Sequence, residues 1–249
     1  EAVAVARILE PCLADTAIHP GNVTRGYAQH ICLADVADHV AATAAALGAR
    51  LIHLSSDAVL NELGAPYADG SAPAPMSPYG EAKAEAERRV ATRHSSATIV
   101  RTSLIFGLAP LDKHNRWMVD ALLAGNEVRL YRDEIVCPIW VQNLAAAVVE
   151  LAGLHAPGNL NVAGSQPLSR WDFGLRILAA LGIPPGPNLR QASVADQVPA
   201  RPGDRTLDIG RAAGMLRTRL LSVDEALDIQ TGAGAALWFA TRSSSFMAA

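Results

Sequence analysis

Apolar positions along this chain fall into short runs separated by longer stretches with helical spacing. Arg50–Ser55 (RLIHLS) and Thr98–Arg101 (TIVR) read as buried strands, and Asp15–His19 (DTAIH) as a further candidate. Leu33–Leu47 is an alanine-rich helix that Gly48 stops, and Pro78 opens a helix running to about Arg93, a good place for proline. Glu1–Leu13, with Val5, Ile8 and Leu9, reads as the last turns of another helix. Strands spaced by helices of this length predict βαβ units and a parallel sheet.

After Gly107 the rhythm changes. The pattern predicts a helix over His114–Leu123, a strand over Val128–Tyr131, a helix over Gln142–Leu154 and a strand over Gly158–Val162. A helix over Ser169–Leu181 follows, with Ser169 as N-cap and Gly182 as its stop. The Pro/Gly-rich stretch Pro184–Pro187 leads into an irregular region, and from about Ile229 helical period and charge are lost. The division this suggests is a sheet-forming unit over 1–107, a smaller lobe over 108–228 that partly returns to the sheet, and a tail over 229–249.

Composition narrows the class. At 249 residues and 50% hydrophobic, the chain can offset its ordering entropy by burial, which excludes disorder as its main state. Lys and Arg number 21 against 24 Asp and Glu, so no basic surplus points to nucleic acid or anionic lipid. Charges interrupt every apolar run before it could span a membrane. Cys12, Cys32 and Cys137 are scattered, without a CxxC, which supports neither a disulfide framework nor a zinc site. A soluble chain of a reducing compartment, cytoplasm or organelle matrix, is expected.

The chemistry-bearing segment is Leu51–Lys83. A strand ends in Ser55-Ser56-Asp57, and a helix then opens with Tyr79-Gly80-Glu81-Ala82-Lys83. Tyr and Lys four apart share one helical face. An ammonium there can favour the ionised phenol, and a strand-end hydroxyl can hold a carbonyl oxygen against it, which makes a proton-delivery set. The plain alternative is a surface tyrosine and a solvated lysine. The chain has only two lysines, Lys83 and Lys113, against nineteen arginines, so one at this spacing favours the functional reading.

Other residues read as structural. His53 is a core histidine, and the histidines lack metal-ligand spacing. Trp117, Trp140, Trp171 and Trp238 are packing residues. Glu81, Glu85, Glu87, Arg88 and Arg89 form the solvated face of the Tyr79 helix, and the cysteines are inert.

The runs LIHLSSDAV, PYGEAKAEAE and VRTSLIFG resemble the extended short-chain dehydrogenase/reductases, and most closely the dTDP-4-dehydrorhamnose reductase branch. DEIVCPIWVQNLAAAVVEL, GNLNVAGSQPLSRWDFGLRILAALG and ARPGDRTLD resemble that branch's substrate-lobe motifs, so the likeness covers roughly Asp15–Leu227. It implies an α/β fold: a Rossmann-like parallel sheet, N-terminally incomplete, with a smaller α+β substrate lobe. By resemblance Ser56, Tyr79 and Lys83 are catalytic. Tyr79, Lys83, Ser55 and Arg101 would contact NADP or NAD, the only source of hydride. Asp57 would contact substrate. Arg201 would meet either a substrate diphosphate or an inter-lobe ion pair. The implied function is reduction of a nucleotide-sugar-like or small carbonyl. The alternative is a non-catalytic relative acting as a subunit of a complex.

The likeness has gaps. No GxGxxG or GxxGxxG occurs, although the family holds the cofactor pyrophosphate on such a turn. If DTAIH is the family's fourth strand, the deficit is about 50 to 60 residues. A fragment (the chain starts at Glu1), a shortened relative, or a protein partner over the open sheet edge would each account for it. Ala58 stands where that branch carries an aromatic residue, and the segment Arg101-Thr102-Ser103-Leu104 lacks the branch's Trp, which argues against its named substrate more than against the fold.

Overall fold

In the computed structural model the described residues are 23–61, 64–197 and 202–232. The expected elements at Glu1–Leu13 and Asp15–His19 therefore lie outside them, as do Arg201 and Trp238.

Helix α1 (Val23–Ala46) starts ten residues before the predicted Leu33. Its first ten residues include Gly26 and the β-branched Val23 and Thr24, a weak local signal. It ends as expected, with Gly48 at a φ of 62° that favours glycine. Ala34, Ala37, Ala41 and Ala44 form a buried small-residue stripe in the cluster that also holds Ala86 and Val90. Those two belong to α2 (Pro78–Arg93), whose predicted limits hold.

Strands β1 (Ile52–Ser56) and β2 (Thr98–Thr102) pair in parallel, Ile52 against Thr98 through Ser56 against Thr102. β2 also pairs in parallel with β7 (Gly158–Asn161), so the sheet order is β1-β2-β7. As the central strand, β2 is buried at all five positions. One face, through Leu51 and Ile99, packs on α1 and α2. The other, through Val100 and Leu160, packs on Leu144, Ala147 and Leu151 of α4 (Val141–Ala152). This α/β architecture around a parallel sheet is the one expected. Among the described residues β1 has a strand neighbour on one side only.

The remaining elements are β3 (Ile105–Phe106), α3 (Lys113–Leu123), β4 (Val128–Tyr131), β5 (Ile135–Val136), β6 (Ile139–Trp140), β8 (Leu168–Ser169), α5 (Arg170–Ala180), β9 (Leu189–Ala192), α6 (Gly210–Met215) and α7 (Val223–Thr231). They form two-stranded pairs, β3 with β6 and β4 with β9 in parallel, β5 with β8 antiparallel. Most of them surround a second core that includes Phe106, Trp140, Phe173, Ile177 and Leu227. Phe106 and Phe173 meet edge-to-face at 5.4 Å.

Three expectations are corrected here. The described residues after Pro187 include regular elements: β9 pairs with β4, and α7 is fixed by a reciprocal cap between Ser222 and Glu225. LRQA carries no strand-like alternation and becomes a strand only by pairing, while α7 continues past Ile229 to Thr231. Trp117 is not a packing residue, being 60% exposed on α3.

Candidate active site

The C-terminal end of β1 and the first turns of α2 meet at one place. Ser56 caps a 3-10 turn over Asp57–Val59, its Oγ accepting from Ala58 N at 3.2 Å. Ser77 caps α2 by accepting from Gly80 N at 3.1 Å, and Pro78 occupies the first helical turn. Gly80 permits the contact: a Cβ there would lie 2.1 Å from Ala58 O and 2.9 Å from Pro75 Cβ. Gly80→Ala is expected to cost about 1–3 kcal/mol by overpacking and to push Tyr79 away from Ser56. Urea unfolding measures the first effect, and a crystal structure of the variant the second.

Tyr79 lies close enough to Ser56 for the serine hydroxyl to influence the phenol. Burial raises the phenol above its ordinary pKa; the Ser56 hydroxyl pulls it down, and the Asp57 charge adds to the rise. The expected lowering of Tyr79 by Lys83 is therefore not what this arrangement produces. The Lys83 ammonium instead donates to the Leu54 carbonyl at 3.1 Å. Burial lowers its pKa, against the raising effect of Glu87.

Behind Ser56 lies a buried polar network. Asp57 Oδ1 accepts from Ser56 Oγ at 3.2 Å, and Oδ2 from Ser103 Oγ at 2.7 Å. Ser103 Oγ in turn accepts from Cys137 N at 3.1 Å. Arg205 spans two carboxylates, reaching Glu134 Oε1 at 2.8 Å and Asp57 Oδ1 at 3.5 Å. Sequence reasoning picked Arg201 from the ARPGDRTLD segment; Arg205, four residues on, is the arginine seen to join the site. Ser103 and Glu134 carried no local signal, because their role depends on contacts to residues 34 to 71 positions away.

Arg101 is fully buried, with Nε and one terminal nitrogen on Glu87 at 3.0 and 2.7 Å. Its other terminal nitrogen donates to Ser71 O at 2.7 Å and Asp69 O at 3.4 Å. The guanidinium is thus spent within the protein, and a cofactor contact would have to displace one of these bonds. Glu87, read as part of a solvated face, is buried beneath α2 by that pairing. Ser55 Oγ and Thr102 Oγ1, by contrast, are buried without partners. The orphaned Ser55 hydroxyl, next in the chain to the Leu54 carbonyl that Lys83 holds, is a group that the ribose-nicotinamide end of a dinucleotide would engage more readily than Arg101. The sequence has no glycine-rich turn to hold the pyrophosphate end. A groove of about 570 Å³ lined by Glu81, Ala84, Arg88, Arg101 and Asn159 touches none of Ser56, Tyr79 or Lys83.

Cys137 is buried and its thiol pushed up to about 11 by burial, in keeping with an inert residue. His53, expected in the core, is half-buried, with its Nε2 buried without a partner. Burial, with a smaller contribution from the Lys83 charge, lowers its pKa to about 4, so it is neutral in the fold. The unfolded imidazole takes up its proton near 6.5, so between about pH 6.5 and 4 the unfolded chain binds more protons. Stability is expected to fall on acidification through that window, by up to about 3 kcal/mol from this group. Urea unfolding at pH 7 and 4.5 should show a smaller loss in His53→Phe.

Among the described residues no helix is long and apolar enough to cross a membrane. The RmlD substrate binding domain family matches residues 22–228. A probable low-salt glycan biosynthesis reductase of Haloferax volcanii is 31% identical over 173 residues, 66% of this chain and 57% of that protein. Methionine adenosyltransferase 2 subunit beta of Mus musculus is 24% identical over 80% of this chain and 60% of its own length. The chain thus spans less than two thirds of these curated relatives. The crystal structure of a dTDP-4-dehydrorhamnose reductase from Bacillus anthracis in complex with NADP superposes with a TM-score of 0.69 at 23% identity, covering 83% of this chain and 74% of that one. With a parallel sheet, a Ser-Tyr-Lys constellation at its C-terminal end and a family match over most of its length, the chain belongs to the RmlD substrate binding domain family, among the dTDP-4-dehydrorhamnose reductase-like extended short-chain dehydrogenase/reductases.

Proposed function

We propose that this chain carries the proton-delivery and substrate-lobe parts of a reductase acting on the keto group of a nucleotide-linked sugar. The observation that supports it most is the placement of Tyr79 beside Ser56 at the strand end, with Lys83 one helical turn along. Tyr79 gives its proton to the carbonyl oxygen of the substrate. Its raised pKa keeps that proton in place at neutral pH, so the donor is loaded before each turnover. Ser56, whose hydroxyl proton rests on Asp57 Oδ1, turns that proton to the same oxygen when substrate is seated. Lys83 uses one of its three protons on Leu54 O and keeps two for the cofactor ribose and the phenol. A bound NADPH or NADH supplies the hydride, which no side chain can. Ser55 offers an unpartnered hydroxyl for its ribose-nicotinamide end.

A second reading is a subunit without turnover. The likeness to methionine adenosyltransferase 2 subunit beta favours it. Calorimetry with NADPH and NADH, followed by NADPH oxidation with a dTDP-4-dehydro sugar, separates the two. Micromolar cofactor binding with substrate-dependent oxidation supports the reductase. A folded chain that binds neither cofactor overturns it and leaves the subunit reading.

A further inference from the structure

Arg205 belongs to an extended strap that runs between the sheet and the lobe. Gly203 O accepts from Ile135 N at 2.9 Å, and Arg205 N donates to Ile135 O at 3.0 Å, so the strap is stitched to β5. Just beyond Arg205 the strap crosses to the loop after β1, where Tyr67 N donates to Thr206 O and Asp208 N to Tyr67 O, both at 2.8 Å. The Arg205 side chain, 13% exposed, makes the same crossing with its charge. One end holds Glu134 at the start of β5, the other Asp57 at the end of β1, and both carboxylates are 7% exposed.

Two carboxylates this buried on one site repel each other and need a shared cation. The consequence reaches the chemistry through one further bond. Asp57 Oδ1, the atom Arg205 approaches, also receives the Ser56 hydroxyl proton. Ser56 has one proton, so where Asp57 stands decides where that hydroxyl points. Ser56 Oγ in turn accepts from the Ala58 amide and lies beside Tyr79. A second tie runs from Asp57 through Ser103 to Cys137 N, also on the lobe side.

We propose that Arg205 is a positioning residue: by clamping Asp57 to Glu134 it sets the orientation of Ser56 relative to the substrate lobe. The proposal rests on the reductase reading for its catalytic consequence and on geometry alone for its structural one. Arg205 touches neither Tyr79 nor Lys83 among the contacts seen, so cofactor affinity is outside its reach. Seating of substrate in the lobe reaches the proton-delivery set through this clamp.

The test compares wild type with Arg205→Gln, Arg205→Lys, Glu134→Gln and the Arg205→Gln/Glu134→Gln double variant. Turnover of a dTDP-4-dehydro sugar is expected to fall about tenfold to a hundredfold in Arg205→Gln, the scale of a misplaced catalytic group. KM should change far less than kcat, and the NADPH dissociation constant should stay that of wild type. Glu134→Gln should lose turnover in the same way, and the double variant should be no worse than Arg205→Gln. Unchanged kcat in Arg205→Gln, or losses that simply add in the double variant, would overturn the proposal.

A second readout needs no turnover. Hydrogen exchange at the Ala58 amide, bonded to Ser56 Oγ, should accelerate in Arg205→Gln while the Gly80 amide, bonded to Ser77 Oγ, keeps its rate. Arg205→Lys, which keeps the charge, should restore part of the Ala58 protection. A merely structural loss would speed both amides together and refutes the idea, as does an unchanged Ala58. If the wild type proves inactive, the reductase reading fails, and the Ala58 result alone decides the clamp.

Discussion

Tyr79→Phe is expected to lower carbonyl reduction by about 10²- to 10⁴-fold, the range that a single positioned proton donor supplies. The substitution removes one oxygen and leaves the ring, so the packing of the α2 N-terminus around Gly80 and Pro75 is retained. Lys83 keeps its bond to Leu54 O, and Ser55 is untouched, so cofactor affinity should change little. The loss should therefore fall on kcat with the dissociation constant for NADPH preserved. A pH profile adds a check of sign. Burial holds the phenol above its ordinary pKa, so the wild-type donor stays protonated through neutral and mildly alkaline pH. Activity limited by loss of that proton should decline only above the ordinary tyrosine range. A Tyr79→Phe variant with wild-type kcat would remove Tyr79 from the mechanism.

The second large effect concerns stability. Glu87→Ala strips the partner from a guanidinium that is fully buried, and breaking such a pair costs about 3–5 kcal/mol because a charge is left without compensation. For a chain of this length that corresponds to a fall in Tm of roughly 6–20 °C. The pair does more than join α2 to β2. Arg101 also holds the carbonyls of Asp69 and Ser71, so the loop leading into α2 is tied to the same charge. Loss of Glu87 should loosen that loop and the register of α2 together, and turnover should drop with stability. Replacing both partners by apolar residues, Glu87→Leu with Arg101→Met, should recover much of the stability, since the cost lies in the orphaned charge. Urea unfolding of the single and double variants measures this directly. A Glu87→Ala protein within about 1 kcal/mol of wild type would mean that Arg101 finds water or another acceptor.

The contrast between Glu87 and its neighbours shows where local pattern stops being informative. Glu85, Arg88 and Arg89 on the same helix pair with one another near the surface, as their spacing suggests. Glu87 has the same composition around it, yet faces the sheet because Arg101 of β2 lies beneath it. Nothing within one helical turn distinguishes the two carboxylates; a partner 14 residues away does.

The sequence by itself determined the parallel strands that pack their apolar faces on helices, the helix that opens at Pro78, and the Ser56-Tyr79-Lys83 spacing. Each of these rests on short-range physics: the period of apolar positions, the fixed φ of proline and the one-turn offset of i and i+4. Family membership was legible too, because Leu51–Gly107 keeps its motifs in order. Only the tertiary structure decided that β9 is a strand, that α7 continues past Ile229, that Arg101 is consumed by Glu87, and that Arg205 is the described arginine bridging to Asp57. It also decided that the Tyr79 phenol is raised, since burial outweighs the lowering effect of the Ser56 hydroxyl while the Lys83 ammonium bonds Leu54 O. These outcomes are set by contacts between residues far apart in the chain. Desolvation and charge pairing act through space, and no local pattern encodes the distance at which they operate.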